Sequence, residues 1–230
     1  MVTATFRFHD QLNDFLPRAR RGQAFACPCA KAATIKHMIE ALGVPHTETG
    51  MVLVNGLDAD MDLLLTDGDC IEAFPGHRSH GEAVAGHAGP RRFVADAHLG
   101  GLALLVRMAG FDTLFDNHFG DGEIAGIAAH ECRIVLSRDR ELLNRRQIRE
   151  GCYIRALKSS GQLREVLQRL KLAGDARPFS RCLHCNAPLH PVDKACVLDR
   201  LPPSVRMNQD TFSTCDLCRR STGKAPIGSA

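Results

Sequence analysis

The chain reads as an α/β protein built in three successive parts: a small β-sheet module with one helix, a three-layer domain around a parallel sheet, and a short tail stapled by metal. Three observations predict this. Residues 1–76 hold period-two strands around a single amphipathic helix. Residues 91–174 alternate strand and helix, the order that builds parallel sheets covered on both faces. Residues 175–230 carry two CxxC pairs, RCLHC (181–185) and TCDLC (214–218), in a segment with little apolar mass. The stretch HRSHGEAVAGHAGP (77–90) is rich in Gly, Ala and His, lacks apolar periodicity, and reads as a linker.

In the first part, ATFRFHD alternates as a strand. ATIKHMIEALG then sets Ile35, Met38, Ile39 and Leu42 on one helical face, with Gly43 as the stop. MVLVNG is a strand ending in an Asn-Gly turn, and LTDGDCIEAFP is a second turn and strand. Two early strands, one helix and later strands predict a ubiquitin-like β-grasp. Carriers on this fold need a free C-terminal Gly-Gly, whereas this chain continues as PGHRSHG into another domain. The module is therefore expected to dock a protein partner or serve as a scaffold. Cys27-Pro-Cys29 is expected to be loop, and Cys70, Cys132 and Cys152 core thiols.

In the second part, RFVAD (92–96) is a strand. HLGGLALLVRMAG is a helix with Leu99, Leu102, Ala103, Val106 and Ala109 at helical spacing and Gly110 as the stop. DTLF is a strand, DGEIAGIAAHE a helix, RIVLS a strand, RELLNRRQIR a helix, CYIRAL a strand, and GQLREVLQRLKL a last amphipathic helix. Parallel sheets of this kind bind ligands outside the carboxyl ends of their strands.

Hydrophobic content of 44% and charged content of 24% are ordinary for a soluble globular protein. No stretch approaches the roughly 18 apolar residues of a membrane helix, and MVTATFRFHDQ lacks the pattern of a signal peptide. A cytoplasmic location is expected, and ten cysteines there point to metal before disulfides. The net charge of +3 hides an asymmetry. Residues 1–77 carry 6 Lys/Arg against 10 Asp/Glu, and residues 78–230 carry 23 against 16. The basic part is where an anionic partner is expected.

Asp96 closes RFVAD and Asp139 follows RIVLS, both just past the carboxyl end of a strand on one sheet edge. Asp121 opens DGEIAGIAAHE, where it caps the helix or turns toward that edge. Carboxylates gathered there repel one another unless a cation lies between them, and hard oxygen ligands suit Mg²⁺ or Mn²⁺. Such a metal activates water and stabilises charge on a phosphodiester. Arg138 and Arg140 flank Asp139 and can hold phosphate oxygens, and Arg145, Arg146 and Arg149 extend a basic track for RNA; an exposed solvated face is the plainer reading of those three. Dinucleotide, P-loop and nucleophile-elbow motifs are absent.

Cys182, Cys185, Cys215 and Cys218 can present four thiolates to a structural Zn²⁺, which would supply the folding free energy this small segment lacks. Cys196, His184 and His190 are expected to be loop residues.

FVADAHLGGLALLVRMAGFDT, DGEIAGIAAHECRIVLSRDREL and the two CxxC pairs, in that order, resemble the Mut-seven C-terminal RNase family. VPHTETGMVLVNG and LTDGDCIEAFP resemble the ubiquitin-like module that precedes some of its members. The resemblance spans about residue 3 to residue 218. It implies a PIN-like nuclease domain over 91–174, a zinc ribbon over 175–230, and metal-dependent cleavage of RNA, tRNA-like structured RNA included. It implies Asp96, Asp121 and Asp139 as the metal-binding catalytic acids, with Asp116 or Glu123 as a fourth, and it matches Glu131 and Arg133 to a recurring Glu-x-Arg. The chain departs from the family at its end, where RRSTGKAPIGSA replaces an aromatic and Gly-Ser-His stretch. A non-catalytic RNA-binding adaptor and a small-phosphate hydrolase are the alternatives.

Overall fold

The computed structural model describes residues 1–76, 90–201 and 203–223. All of the expected linker except Pro90 lies outside the described residues, as does the tail 224–230.

The N-terminal module contains strands β1 (Val2–Phe8) and β2 (Phe25–Cys29), helix α1 (Ile35–Ala41), and strands β3 (Thr49–Val54), β4 (Leu57–Asp58) and β5 (Cys70–Pro75). The sheet order is β2-β1-β5-β3-β4, with β1 and β5 parallel at the centre and the other pairs antiparallel. The inward residues of β1, Ala4, Phe6 and Phe8, pack with Ile35, Ile39, Val52 and Ile71, so the single helix covers the apolar face of the sheet. This is the ubiquitin-like β-grasp. Thr34 caps α1 by accepting the His37 backbone N–H (3.2 Å), and Gly43 ends it at φ +92°, a backbone region that side-chain-bearing residues avoid.

Two cysteine expectations are corrected here. Cys27-Pro-Cys29 is not loop but strand β2, paired to β1 with Pro28 opposite Thr3. An edge strand tolerates proline because one side of its backbone needs no partner. Cys70 and Cys132 are exposed rather than core; only Cys152 is buried, and burial pushes its thiol up to about 12.

The central domain contains β6 (Arg92–Ala95), α2 (Gly100–Met108), β7 (Asp112–Leu114), α3 (Asp121–Glu131), β8 (Ile134–Ser137), α4 (Arg140–Leu143), β9 (Gly151–Tyr153) and α5 (Ser159–Arg169). All pairs in its sheet are parallel, in the order β7-β6-β8-β9. Alternation along the strands divides the core into two. Phe93, Ala95, Ile134, Leu136 and Cys152 face α2 and α5, whereas Val94 and Val135 face α3 and α4. The chain leaves β6 to build β7 on one side, then crosses back to build β8 on the other. The topological switch therefore lies between β6 and β8.

The helix expected over RELLNRRQIR is only the four residues of α4. Leu142 and Leu143 are buried, but the chain must straighten by Glu150, whose carbonyl accepts the Val135 N–H as β9 joins β8. Arg146 thus lies on a turn and Arg145 and Arg149 on irregular chain, not on one helical face.

The tail forms a three-stranded antiparallel sheet, β10 (His190–Val192), β11 (Phe212–Thr214) and β12 (Ser221–Gly223), around a small core of Val197, Leu201 and Phe212. It docks on the amino edge of the parallel sheet. Buried Arg133 donates to Asp112 Oδ1 (2.7 Å), Glu131 Oε2 (2.8 Å) and the Phe93 carbonyl (3.0 Å). Asn186, beside the first cysteine pair, donates to the same Asp112 Oδ1 (2.7 Å) and accepts the Thr113 N–H (2.9 Å). The Glu131-x-Arg133 pair is thereby an anchor at the edge opposite Asp96.

A second buried charge ties the N-terminal module to β9 and α5. Glu48, whose side chain is 0% exposed, accepts from Arg169 Nη2 at both oxygens (2.8 and 2.7 Å), from Arg155 Nη2 (3.1 Å) and from the Tyr153 N–H (2.7 Å). His46 Nε2 bonds the Ile148 carbonyl (2.9 Å), while its Nδ1 makes a close contact with Glu40 Oε1 (2.7 Å) rather than an aligned hydrogen bond. Among the described residues, no helix is long and apolar enough to cross a membrane.

Candidate active site

Parallel register sets Ala95 beside Leu136, so the next residues, Asp96 and Ser137, leave the sheet side by side at the switch between β6 and β8. The Asp96 N–H still bonds the Leu136 carbonyl (3.0 Å). The Ser137 hydroxyl, fully buried, donates to Asp96 Oδ2 (2.6 Å) and accepts the Asp139 N–H (2.9 Å). One serine thus holds both strand-end acids. Asp139 caps α4, its Oδ1 accepting the Glu141 N–H (2.8 Å), which leaves Oδ2 without a partner among the described residues. Asp96 Oδ1 has only a long contact with the His98 N–H (3.5 Å). Both acids are thus tied down at the carboxyl ends of β6 and β8, with Asp139 Oδ2 the oxygen left unpaired among the described residues.

Asp121 shares no hydrogen-bond partner with this pair among the described residues. It occupies the first turn of α3, makes no capping hydrogen bond, is 44% exposed, and approaches Arg145 Nη2 at 3.4 Å. Among the candidates for a fourth acid, Asp116 is exposed and held below the usual carboxylate range by the backbone N–H of His118 and then by its ring. Glu123 is exposed on α3. Among the described residues, Asp96, Asp121 and Asp139 do not form a set of ligand atoms all within 4.8 Å of one another.

The arginines divide. Arg138, Arg146 and Arg149 are exposed, with no charged or hydrogen-bonded partner among the described residues. Arg145 faces Asp121. Arg140 reaches the N-terminal module, donating to the Phe15 carbonyl (3.2 Å) with its guanidinium over the Phe15 ring (4.9 Å).

The four cysteines do converge. Their sulfurs all lie within 4.8 Å of one another, with Cys182 to Cys218 at 3.5 Å and Cys185 to Cys215 at 3.3 Å. Zn–S bonds of ~2.3 Å in a tetrahedron separate sulfurs by ~3.8 Å, so the cage fits zinc. Burial opposes ionisation of Cys215, yet the Cys218 N–H and the Cys185 thiol lower it to about 7, a ready first thiolate.

A Mut7-C RNAse domain model matches residues 91–221, and a Mut7-C ubiquitin model matches residues 1–80. The chain belongs to the Mut7-C RNAse family. The RNAse domain model spans the parallel-sheet unit and most of the cysteine-bearing tail, and the ubiquitin model spans the β-grasp module before them. Among solved structures, two of small archaeal modifier protein 1 from Haloferax volcanii are 18% and 19% identical, covering 33% and 34% of this chain and 98% and 99% of theirs, each at a TM-score of 0.27. A putative molybdopterin converting factor subunit 1 from Pyrococcus furiosus is 14% identical over 33% of this chain and 98% of its own, at a TM-score of 0.26. No curated protein matches significantly.

Serine 137 was missed by reasoning from sequence, although a polar residue closing an otherwise apolar strand was the available signal. Glu48, Arg155 and Arg169 carried no local signal, because their partners lie in another module.

Proposed function

We propose that this chain is a metal-dependent ribonuclease with its centre at the β6–β8 switch. The observation that carries the reading is the Asp96–Ser137–Asp139 arrangement, one buried serine tying two strand-end acids together in the place where parallel sheets bind ligands. An all-carboxylate donor set fits Mg²⁺ or Mn²⁺ better than a softer metal. Asp96 and Asp139 would hold that cation, with Asp121 joining them by releasing Arg145. When bound, the cation activates water and stabilises charge on the phosphodiester. Ser137 orients Asp96 and the start of α4. Arg138, exposed beside Asp139, contacts substrate phosphates, and Arg146 and Arg149 track the RNA further along. Arg145 takes a phosphate once Asp121 lets it go, and Arg140 acts by holding the N-terminal module. Cys182, Cys185, Cys215 and Cys218 hold a structural Zn²⁺ that stabilises the ribbon away from the crevice.

The test is cleavage of an end-labelled single-stranded RNA and a folded tRNA-like transcript with Mg²⁺, Mn²⁺ or chelator. Asn caps a helix as well as Asp does, so Asp139→Asn should keep the fold and lose cleavage; a variant as active as the wild type would refute the assignment. The Arg145–Asp121 contact favours one second reading, an adaptor that binds RNA without cutting it and recruits a protein through the ubiquitin-like module. Its signature is metal-independent RNA binding with no products from a folded, zinc-loaded chain.

A further inference from the structure

The N-terminal module brings positive charge to the turn that Arg140, the residue after Asp139, also reaches. That module is acidic overall, yet three of its six basic residues fall in the run PRARRG, at Arg18, Arg20 and Arg21. The run follows a 3-10 helix, Asp10–Phe15, whose last carbonyls need partners from outside. Guanidinium groups supply them. Arg21 donates to the Asp14 carbonyl (3.3 Å) and, through Nε, to the Leu16 carbonyl (2.9 Å). Arg140 of the nuclease domain donates to the Phe15 carbonyl between them (3.2 Å). Arginines from two modules therefore meet on one turn, and one of them directly follows Asp139 in the chain. Phe15 is clamped there, edge-on to Tyr153 (5.0 Å) and beneath Arg140 and Arg155 (4.9 Å each), which fixes the loop beside the helix that Asp139 caps.

Arg18 and Arg20 have no part in that clamp. The turn that carries them buries nothing, and neither has a carboxylate partner among the described residues; Arg20 only lies over the Phe25 ring (4.6 Å). Two cations without carboxylate partners, on a turn of an acidic module that Arg21 and Arg140 fasten to the segment following Asp139, suit a polyanion.

We infer that Arg18 and Arg20 form an RNA-binding surface that continues the Arg138 side of the crevice onto the ubiquitin-like module, so that both modules grip one strand. Arg21 supports the surface by holding the turn. This rests on the ribonuclease reading, and it gives the module a role in substrate binding. The ligand is a single-stranded phosphodiester chain contacted through its phosphates.

The test uses the full chain carrying Asp139→Asn, so that RNA binds without being cut. Affinity for an end-labelled single-stranded RNA is measured in Mg²⁺ across a salt series, with and without Arg18→Ala and Arg20→Ala. Each phosphate contact on a single strand contributes ~0.7 to the slope of log K against log salt. The double substitution should weaken binding roughly tenfold and flatten the slope by ~1.4. Arg18→Lys with Arg20→Lys should keep the slope, since lysine preserves the charge, whereas a purely structural role would not be rescued. An unchanged affinity and slope in the alanine variant, with wild-type chain still cutting the RNA, overturns this surface alone. Wild-type chain that neither binds nor cuts the RNA overturns both this surface and the ribonuclease reading.

Discussion

Serine 137 shows how much one buried hydroxyl can organise. It donates to Asp96 Oδ2 and accepts from the Asp139 N–H, so it fixes one acid by its side chain and the other by its backbone. Ser137→Ala would leave a nearly buried carboxylate short of a donor, a loss of ~1–3 kcal/mol. We expect a lower urea midpoint and at least tenfold slower cleavage. Unchanged stability would mean that water replaces the hydroxyl. Asp112 allows a prediction about pH. Burial opposes its ionisation, but hydrogen bonds from Arg133 and Asn186 and the nearby charges of Arg133 and Arg181 hold it below the usual carboxylate range. A carboxyl lowered in the folded state contributes stability that is fully present above its unfolded value near ~3.9 and is lost as pH falls through the folded value. Urea unfolding from neutral pH down to about pH 3 should therefore show wild type well above Asp112→Asn at neutral pH, with the gap closing below about pH 4. A gap that stays constant would remove Asp112 from the pH response.

At the level of elements, strands and helices follow from periodicity where the apolar residues are dense. β6, α2, β7, α3 and β8 lie where alternation and three-to-four spacing predict them. Prediction failed at α4 and β2. Helical spacing persisted past Leu143, but pairing of β9 with β8 pulled the chain straight. Cys27-Pro-Cys29, expected as loop, is strand because an edge position makes Pro28 compatible with pairing on one side only. The tail has only a small buried core, Val197, Leu201 and Phe212, so it stands to gain most from a metal held by its four cysteines. Cys215→Ser should abolish bound zinc by elemental analysis and expose residues 180–223 to protease, while the β6–β9 sheet stays protected. Protection of both parts would show that the ribbon folds without metal.

Across the whole molecule, two buried charge clusters join the three units on different sides of one sheet. Asp112, Arg133 and Asn186 hold the ribbon at the amino edge, and Glu48 with Arg155 and Arg169 holds the ubiquitin-like module at β9. Removing one partner of a buried ion pair leaves the others uncompensated, at a cost of ~3–5 kcal/mol. Glu48→Gln in the full chain should lower the unfolding free energy by that amount, read as a lower urea midpoint, and separate the module's transition from that of the parallel-sheet unit. A single transition at the wild-type midpoint would mean that the apolar seam around Phe15 and Tyr153 suffices.

By itself the sequence determined what depends on neighbours along the chain: the two kinds of sheet, the order of their elements, the strand-end positions of Asp96 and Asp139, and the paired cysteines. Those properties rest on periods of two and 3.6 residues and on fixed spacings, all of them local. Only the tertiary structure decided which charges are free and which are engaged. It turned Arg140 to Phe15, set Arg145 against Asp121, made Glu131 and Arg133 an anchor and brought Arg21 beside Arg140. The reason is physical: a buried or seam-lying charge takes its partner from whatever the fold brings within about 4 Å, and that partner can lie anywhere in the chain.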